Sequence, residues 1–459
     1  MSSLFAMMGA AGSALDVYQK ALGVIQNNVN NSSTPGYAAQ SLNLEAMPLD
    51  VATGLAGGVT TAGLDNSRDP YAEEQLQQQT QTLGQYTAQA QSTGTIQSFF
   101  DASGNSGVSA ALTALLQSFS AWSATPNDPT AEQSVLASAG TVASSIQSLA
   151  SSLSQTAQQF DTSIASTASQ INSIAAQIQS YNQQRLTETT PDPGEDAQLY
   201  SALDNLSQLT NFSTVTQADG TVTVMLGGGS PLVDGSQQYA IQTASSPAGA
   251  QILDSQGNDI TSQITGGQLG GLLDSTNRVL GSMLGNSQQT GTLNQFAIAL
   301  AKTVNGILES GTVSPGGAAG TALFTYSATP TDAAATLAVN SNVTLAAANG
   351  AGSNGNANQL AALTNTPLAQ LGGMSLTQYF GQITSEIGQE NQTATDNQTS
   401  QQQVVAQATT LINQVSGVSL NEEATSVLQF QSAYQASAQV LTVLNTIADS
   451  VIAMITPQT

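Results

Sequence analysis

The chain has 459 residues, a formal net charge of −24, and neither cysteine nor histidine. That rules out disulfides, thiolate nucleophiles and the usual zinc ligand sets, and it removes the commonest general base. Five cations (Lys20, Arg68, Arg185, Arg278 and Lys302) are scattered among 29 acids, so there is no basic patch for nucleic acid or for anionic lipid.

Only 7% of residues are charged, against roughly 25% in an average soluble protein. Ser, Thr, Asn and Gln must solvate the surface, leaving packing and hydrogen bonds to hold the fold. The length suits roughly two to four domains. The N-terminal stretch is apolar, but its first cation is Lys20, too late for a secretory n-region. No unbroken run of about 18 apolar residues is present, so no membrane span is expected. An extracellular address would then mean export without a cleaved signal peptide.

Residues 4–30 read as one amphipathic helix. Met8, Ala11, Leu15, Tyr18, Leu22, Ile25 and Val29 alternate steps of three and four, the seam of a coiled coil. Residues 27–37 (NNVNNSSTPGY) end it with turn-forming types. Gly36 is expected at positive φ, and Asn27, Asn28, Asn30 and Asn31 are expected to satisfy backbone groups of a packed neighbour. Residues 38–69 look like strands and turns. Helical patterns follow at 71–100, at the segment carrying Leu112, Leu115, Leu116, Phe119 and Trp122, at 130–186, and at 196–210. Pro191, Pro193 and Gly194 separate the last two.

Residues 212–265 alternate around hairpin turns at Asp219-Gly220 and Gly257-Asn258. Residues 269–311 return to helix. Residues 312–372, rich in Gly, Ala, Asn and Thr, suggest a small β-rich insertion. Helix resumes at 375–416. A final helix opens with Ser419 and Glu422, spaced as a capping box, and its seam is Val427, Phe430, Tyr434, Leu441, Leu444, Ala448, Val451 and Ile455.

The fold class expected is mainly α with β-containing inserted segments. Residues 1–37 and 404–459 would pair as a terminal coiled-coil polymerisation domain. Residues 38–311 and 373–403 would form a helical-bundle domain with a β-hairpin region near 212–265, and 312–372 a small outer domain. Apolar seams at both chain ends suit a subunit of a helical polymer, where contacts that do not close into a ring build a filament.

Other chemistry is weakly signalled. Gly227-Gly228-Gly229-Ser230 lacks the lysine and spacing of a phosphate loop and reads as a strand-end turn. Residues 254–259 (DSQGND) lack the distal glutamate of a calcium loop. Glu195-Asp196 and Glu422-Glu423 are adjacent pairs whose carboxylates point apart on a helix, and Glu422 suits a helix N-terminus.

Asn27–Asn31 leading to Thr34-Pro35-Gly36-Tyr37 resembles the signature of flagellar rod, hook and hook-associated axial proteins. Residues 415–424 (VSGVSLNEEA) and 430–438 (FQSAYQASA) resemble the end of the hook-associated protein 1 family. The middle agrees in order: Leu116 to Pro126, Ile171-Asn172 to Asn182, residues 266–273 (GGQLGGLL), and Val304-Asn305 to Gly311. The chain departs from that family in having no arginine at 196–209, Ile307-Leu308 where a histidine is frequent, and Leu420-Asn421 where the relatives have Leu-Asp.

The resemblance implies a structural, non-enzymatic subunit of the extracellular flagellum, with no cofactor or metal. Implied partners are copies of itself in a ring or tube, hook protein on one side, a second junction protein or flagellin on the other, and an export chaperone; nucleic acid and membrane are not implied. The polymerisation surface is assigned to Met8, Leu15, Tyr18, Leu22, Ile25, Val29, Asn27, Asn28, Asn31, Gly36 and Tyr37, and to Val427, Phe430, Tyr434, Leu441, Leu444, Val451 and Ile455. Alternatives are another axial protein, such as a second junction protein or a hook subunit, and an extracellular glycan hydrolase, which would need two converging carboxylates.

Overall fold

The computed structural model describes residues 2–48, 57–101, 103–187 and 192–455. Helix α1 (Ser2–Asn31) leads into an antiparallel hairpin of β1 (Gln40–Ala46) and β2 (Val59–Asn66), with a bulge at Asn43/Leu44. Helix α2 (Pro70–Gln97) starts where Asp69 accepts from the Tyr71 and Ala72 amides and Pro70 supplies a preset φ. Then come α3 (Gly107–Ala124), α4 (Pro129–Thr187) and α5 (Pro193–Leu209). Asp192 caps α5; Pro191 lies outside the described residues.

A four-stranded antiparallel sheet follows in the order β3 (Phe212–Thr216), β4 (Val222–Leu226), β5 (Pro231–Asp234), β6 (Gln237–Gln238), with a separate hairpin of β7 (Gln242–Ser246) and β8 (Gly249–Leu253). Turns sit at Gly220 and Gly257, both at φ +83°, as the sequence indicates. Helix α6 (Gly267–Asp274) runs through one π turn (Ser275–Leu280) into α7 (Gly281–Leu284), and α8 (Thr292–Glu309) follows. After β9 (Phe324–Thr325), α9 (Ala333–Thr336), β10 (Ala338–Val339) and α10 (Gly355–Ala362), the chain returns along α11 (Leu376–Val415) and α12 (Leu420–Ile455). A full capping box forms at the start of α11, between Ser375 and Gln378, while at Ser419 the Glu422 amide donates to Ser419 Oγ at 3.4 Å.

Helix α4 spans about 90 Å at 1.5 Å per residue, and its apolar stripe serves two cores. Val135, Val142, Ile146 and Leu153 pack with α3, α8 and the start of α11 around Phe119, Trp122, Phe296 and Phe380. Ile164, Ile171, Ile178 and Tyr181 pack with α5, α6 and the strands around Leu206, Val224, Leu232 and Ile252. With so few charges available, buried asparagines pin loops and strands to helices. The Asn182 carboxamide donates to Val222 O (2.8 Å) and Gly235 O (2.7 Å) and accepts from Val222 N (2.8 Å). Asn172 clasps the Ile241 peptide at 2.9 Å in each direction. Asn305 does the same for residues 323–324. A carboxamide matches a peptide group donor for acceptor, so no charge is desolvated.

The mainly α class with β-containing segments is what the chain adopts. The segment 312–372, however, is not a β-rich outlier. Its strands β9 and β10 are two residues each, and Leu323, Phe324, Leu337, Leu360, Leu363 and Leu371 are buried in the first core. Short apolar runs between glycines carried no helical or strand period, so the sequence hid how deeply they insert. Deleting 312–372 is accordingly expected to unfold the first core. Phe324→Ala should cost about 3–5 kcal/mol, read as a lower urea midpoint; an unchanged midpoint would place Phe324 outside the core.

Candidate assembly interface

The two ends of the chain meet as an antiparallel helix pair. Tyr18 stacks tilted on Phe430, ring centroids 6.1 Å apart, and Asn28 bonds Glu423, so α1 descends as α12 rises. On α1 the buried line is Val17, Ala21, Ile25 and Asn28. Of the residues assigned from sequence, Ile25 and Asn28 lie on it, while Met8, Leu15, Tyr18, Leu22, Asn31, Gly36 and Tyr37 flank it half-buried, and Asn27 and Val29 are exposed. Spacing read from the large apolar types falls one position off the buried line at Tyr18, Leu22 and Val29 and on it at Ile25. Ala21 was missed although a small residue lets the helices approach closely, and Val17 was missed because Tyr18 outcompetes it by size. On α12, Leu444 is buried, and Val427, Phe430, Leu441 and Val451 are half-buried along the same face. Tyr434 is exposed at 37%, and the Ile455 side chain lies outside the described residues.

Below this pair is a joint where several segments interlock. Asn28 is 1% exposed. Its Nδ2 donates to Gln40 O (2.8 Å) and Glu423 Oε1 (2.7 Å), and its Oδ1 accepts from Gln40 N (2.9 Å) and Tyr37 OH (2.9 Å). Its main partners are thus in its own chain. The break between α11 and α12 is held by Ser416, whose carbonyl accepts from Ala39 N (2.9 Å) and Ser67 Oγ (3.1 Å) and whose hydroxyl donates to Ser67 O (3.2 Å). Gly36 sits at φ +73°, and a Cβ there would lie 2.3 Å from Ala197 O; both the turn and the contact with α5 therefore require glycine.

Arg68 binds this joint to the body. It pairs with Glu73, donates to Gly36 O, and lies 3.6 Å above the Tyr200 ring. Arg68 and Glu73 side chains are 6% and 7% exposed. Beside them, burial and then the charge of Glu73 push the Asp204 carboxyl up to about 7, opposed by Arg68 and a hydrogen bond from Gln77. The Glu73 and Asp204 carboxyls thus lie beside one guanidinium.

Beyond the line facing α1, α12 carries a second apolar stripe, Val440, Val443, Ile447 and Met454, 52%, 58%, 45% and 79% exposed. At 3.6 residues per turn it lies about 90° around the helix from Leu441 and Leu444. The stretch Leu376–Met454 holds an 18-residue window of mean hydropathy 1.3, apolar enough by length and composition to cross a membrane and only 6% buried. This corrects the expectation of no such segment: apolar residues on two faces raise the mean without forming an unbroken run. Asn28→Ala removes partners from a buried peptide and a carboxylate at once. It is expected to cost about 1–3 kcal/mol and to speed amide exchange at 38–42. Unchanged exchange there would show that the joint does not depend on Asn28.

Residues 93–324 match the family model for the flagellar hook-associated protein FlgK helical domain. The chain is similar to flagellar hook-associated protein 1 of Bacillus subtilis, 24% identical with 98% of each chain covered. It is also similar to the Salmonella typhimurium protein of that name, 25% identical over 66% of this chain and 56% of that one. The fold resembles the flagellar hook junction protein FlgK from Burkholderia pseudomallei, with a TM-score of 0.64 at 16% identity, covering 74% of this chain and all of that one. The chain belongs to the FlgK family of flagellar hook-associated proteins.

Proposed function

We propose that this protein is a structural subunit of the hook–filament junction, exported to the flagellum, where copies of it polymerise on the distal end of the hook and support the filament. The observation that carries this reading is the exposed stripe Val440–Val443–Ile447–Met454, running along a terminal helix whose other apolar face is already occupied by α1. A monomer rarely leaves such a continuous apolar line in water. A neighbouring copy is the occupant that fits, because one face closes the terminal pair within a chain and the other joins pairs between chains. The seam assigned from sequence, with Leu441 and Leu444, then holds α1, and the stripe beside it, none of whose residues that seam includes, meets the neighbour. Hook protein below, a second junction protein or flagellin above, and an export chaperone beforehand are the further partners of this reading.

Val443→Asp combined with Ile447→Asp tests it. The variant is expected to keep wild-type circular dichroism and remain a monomer, to be exported, and to fail to join hook to filament, so that filament subunits escape into the medium and cells swim poorly. Leu441→Asp, by contrast, puts a charge against α1, where an unpaired buried charge is costly, and should free α1 as well. Normal junctions in the double variant would remove the stripe from the assembly surface. Immunogold labelling of the wild-type protein away from the boundary between hook and filament would overturn the functional reading itself.

A further inference from the structure

The joint between the terminal pair and the body sets two buried carboxyls, Glu73 and Asp204, beside one guanidinium, Arg68. Arg68 has one nitrogen on Glu73 and another on Gly36 O, with its face over Tyr200, while its buried Nε has no hydrogen-bond partner among the described residues. Asp204, on α5, is left with a buried Oδ1 that has no hydrogen-bond partner among the described residues. One guanidinium therefore serves two carboxylates, and full ionisation leaves a buried excess negative charge. The surrounding elements offer little relief. Helix α2 contributes Glu73 and Gln77, the preceding segment Arg68 and Asp69, and α5 Tyr200. Helices α6 and α11 present Gln268, Val405 and Thr409, none of them titratable, across a groove of about 540 Å³ that also touches Asp204.

We propose that this joint is a proton-responsive latch: closed while Asp204 carries a proton, loosened when Asp204 ionises and draws water in along the groove. A protonated Asp204 removes the excess charge and can donate a hydrogen bond, so α5 and the start of α2 stay packed on Arg68. The sign follows from linkage. A carboxyl that binds its proton more tightly in the closed joint than in the opened one stabilises closure as pH falls through about 7 toward the ordinary carboxylate range. The latch would thus be tight in mildly acidic surroundings and yielding in alkaline ones.

Hydrogen exchange on the full-length protein tests this, with rates corrected for the intrinsic effect of pH. Protection of amides in 71–80 and 199–208 is expected to rise about tenfold for each pH unit between about 7 and 5, while amides at 142–153 in the first core stay constant. Local exchange is the readout because Glu132 and Asp161 also have carboxyls raised by burial and would tilt any global melting curve. Asp204→Asn should be protected at both ends of that range and keep only the smaller pH dependence contributed by Glu73, whose carboxyl burial also raises. Glu73→Gln, which lets Arg68 turn to Asp204, should move the transition to lower pH and decides the matter if the first variant does not fold. Exchange in these segments that ignores pH in the wild type overturns the latch, as does an unaltered pH dependence in either folded variant.

Discussion

One asparagine side chain ties the terminal layer to the rest of the molecule. Asn28 spends both ends of its carboxamide on the Gln40 peptide, and still reaches Glu423 at the start of α12 and the Tyr37 hydroxyl in the turn between them. Each partner comes from a different segment, so the end of α1, the turn, the hairpin and the last helix are fixed relative to one another. Ser416 and Arg68 extend that fixation to α11, α2 and α5. The terminal pair consequently leaves the body in one direction, as a subunit of a regular polymer must.

The same device recurs where the chain needs precision without charge. Asn172, Asn182, Asn277 and Asn305 each clasp backbone groups of another segment. Four ion pairs occur among the described residues, and one of them, Arg68–Glu73, is deeply buried. Neutral carboxamides give directional bonds with a smaller desolvation penalty than ions carry. This accounts for how a chain with 7% charged residues holds a two-core body along one long helix.

Much of this was legible from residues alone. Helical spacing placed α1, α2, α4, α11 and α12 within a few residues, although the buried face of α2 is largely polar, with Glu73, Gln77 and Gln81 on it, and Gly36 was legible because a turn after proline needs a positive φ. The partners of Asn28 could not be read, since Gln40 and Glu423 are joined to it only by the fold. Nor could the role of Arg68, a single cation in a turn. The 312–372 segment misled because its buried leucines are spaced by loops, and loops have no period. The seam read from α12 was the face that meets α1, and the second stripe, Val440, Val443, Ile447 and Met454, was not read: spacing identifies a face but not which neighbour covers it.

In the proposed assembly, one face of α12 is closed within the chain and the adjacent face between chains. Because the protein has no cysteine, single cysteines can report on each face separately. Thiol labelling of Val443→Cys and Leu444→Cys, compared in the monomer and in the assembled junction, is the most direct measurement. The cysteine at 443 should react fast in the monomer and be protected on assembly, and the one at 444 should be protected in both states. Equal reactivity at 443 before and after assembly would contradict it.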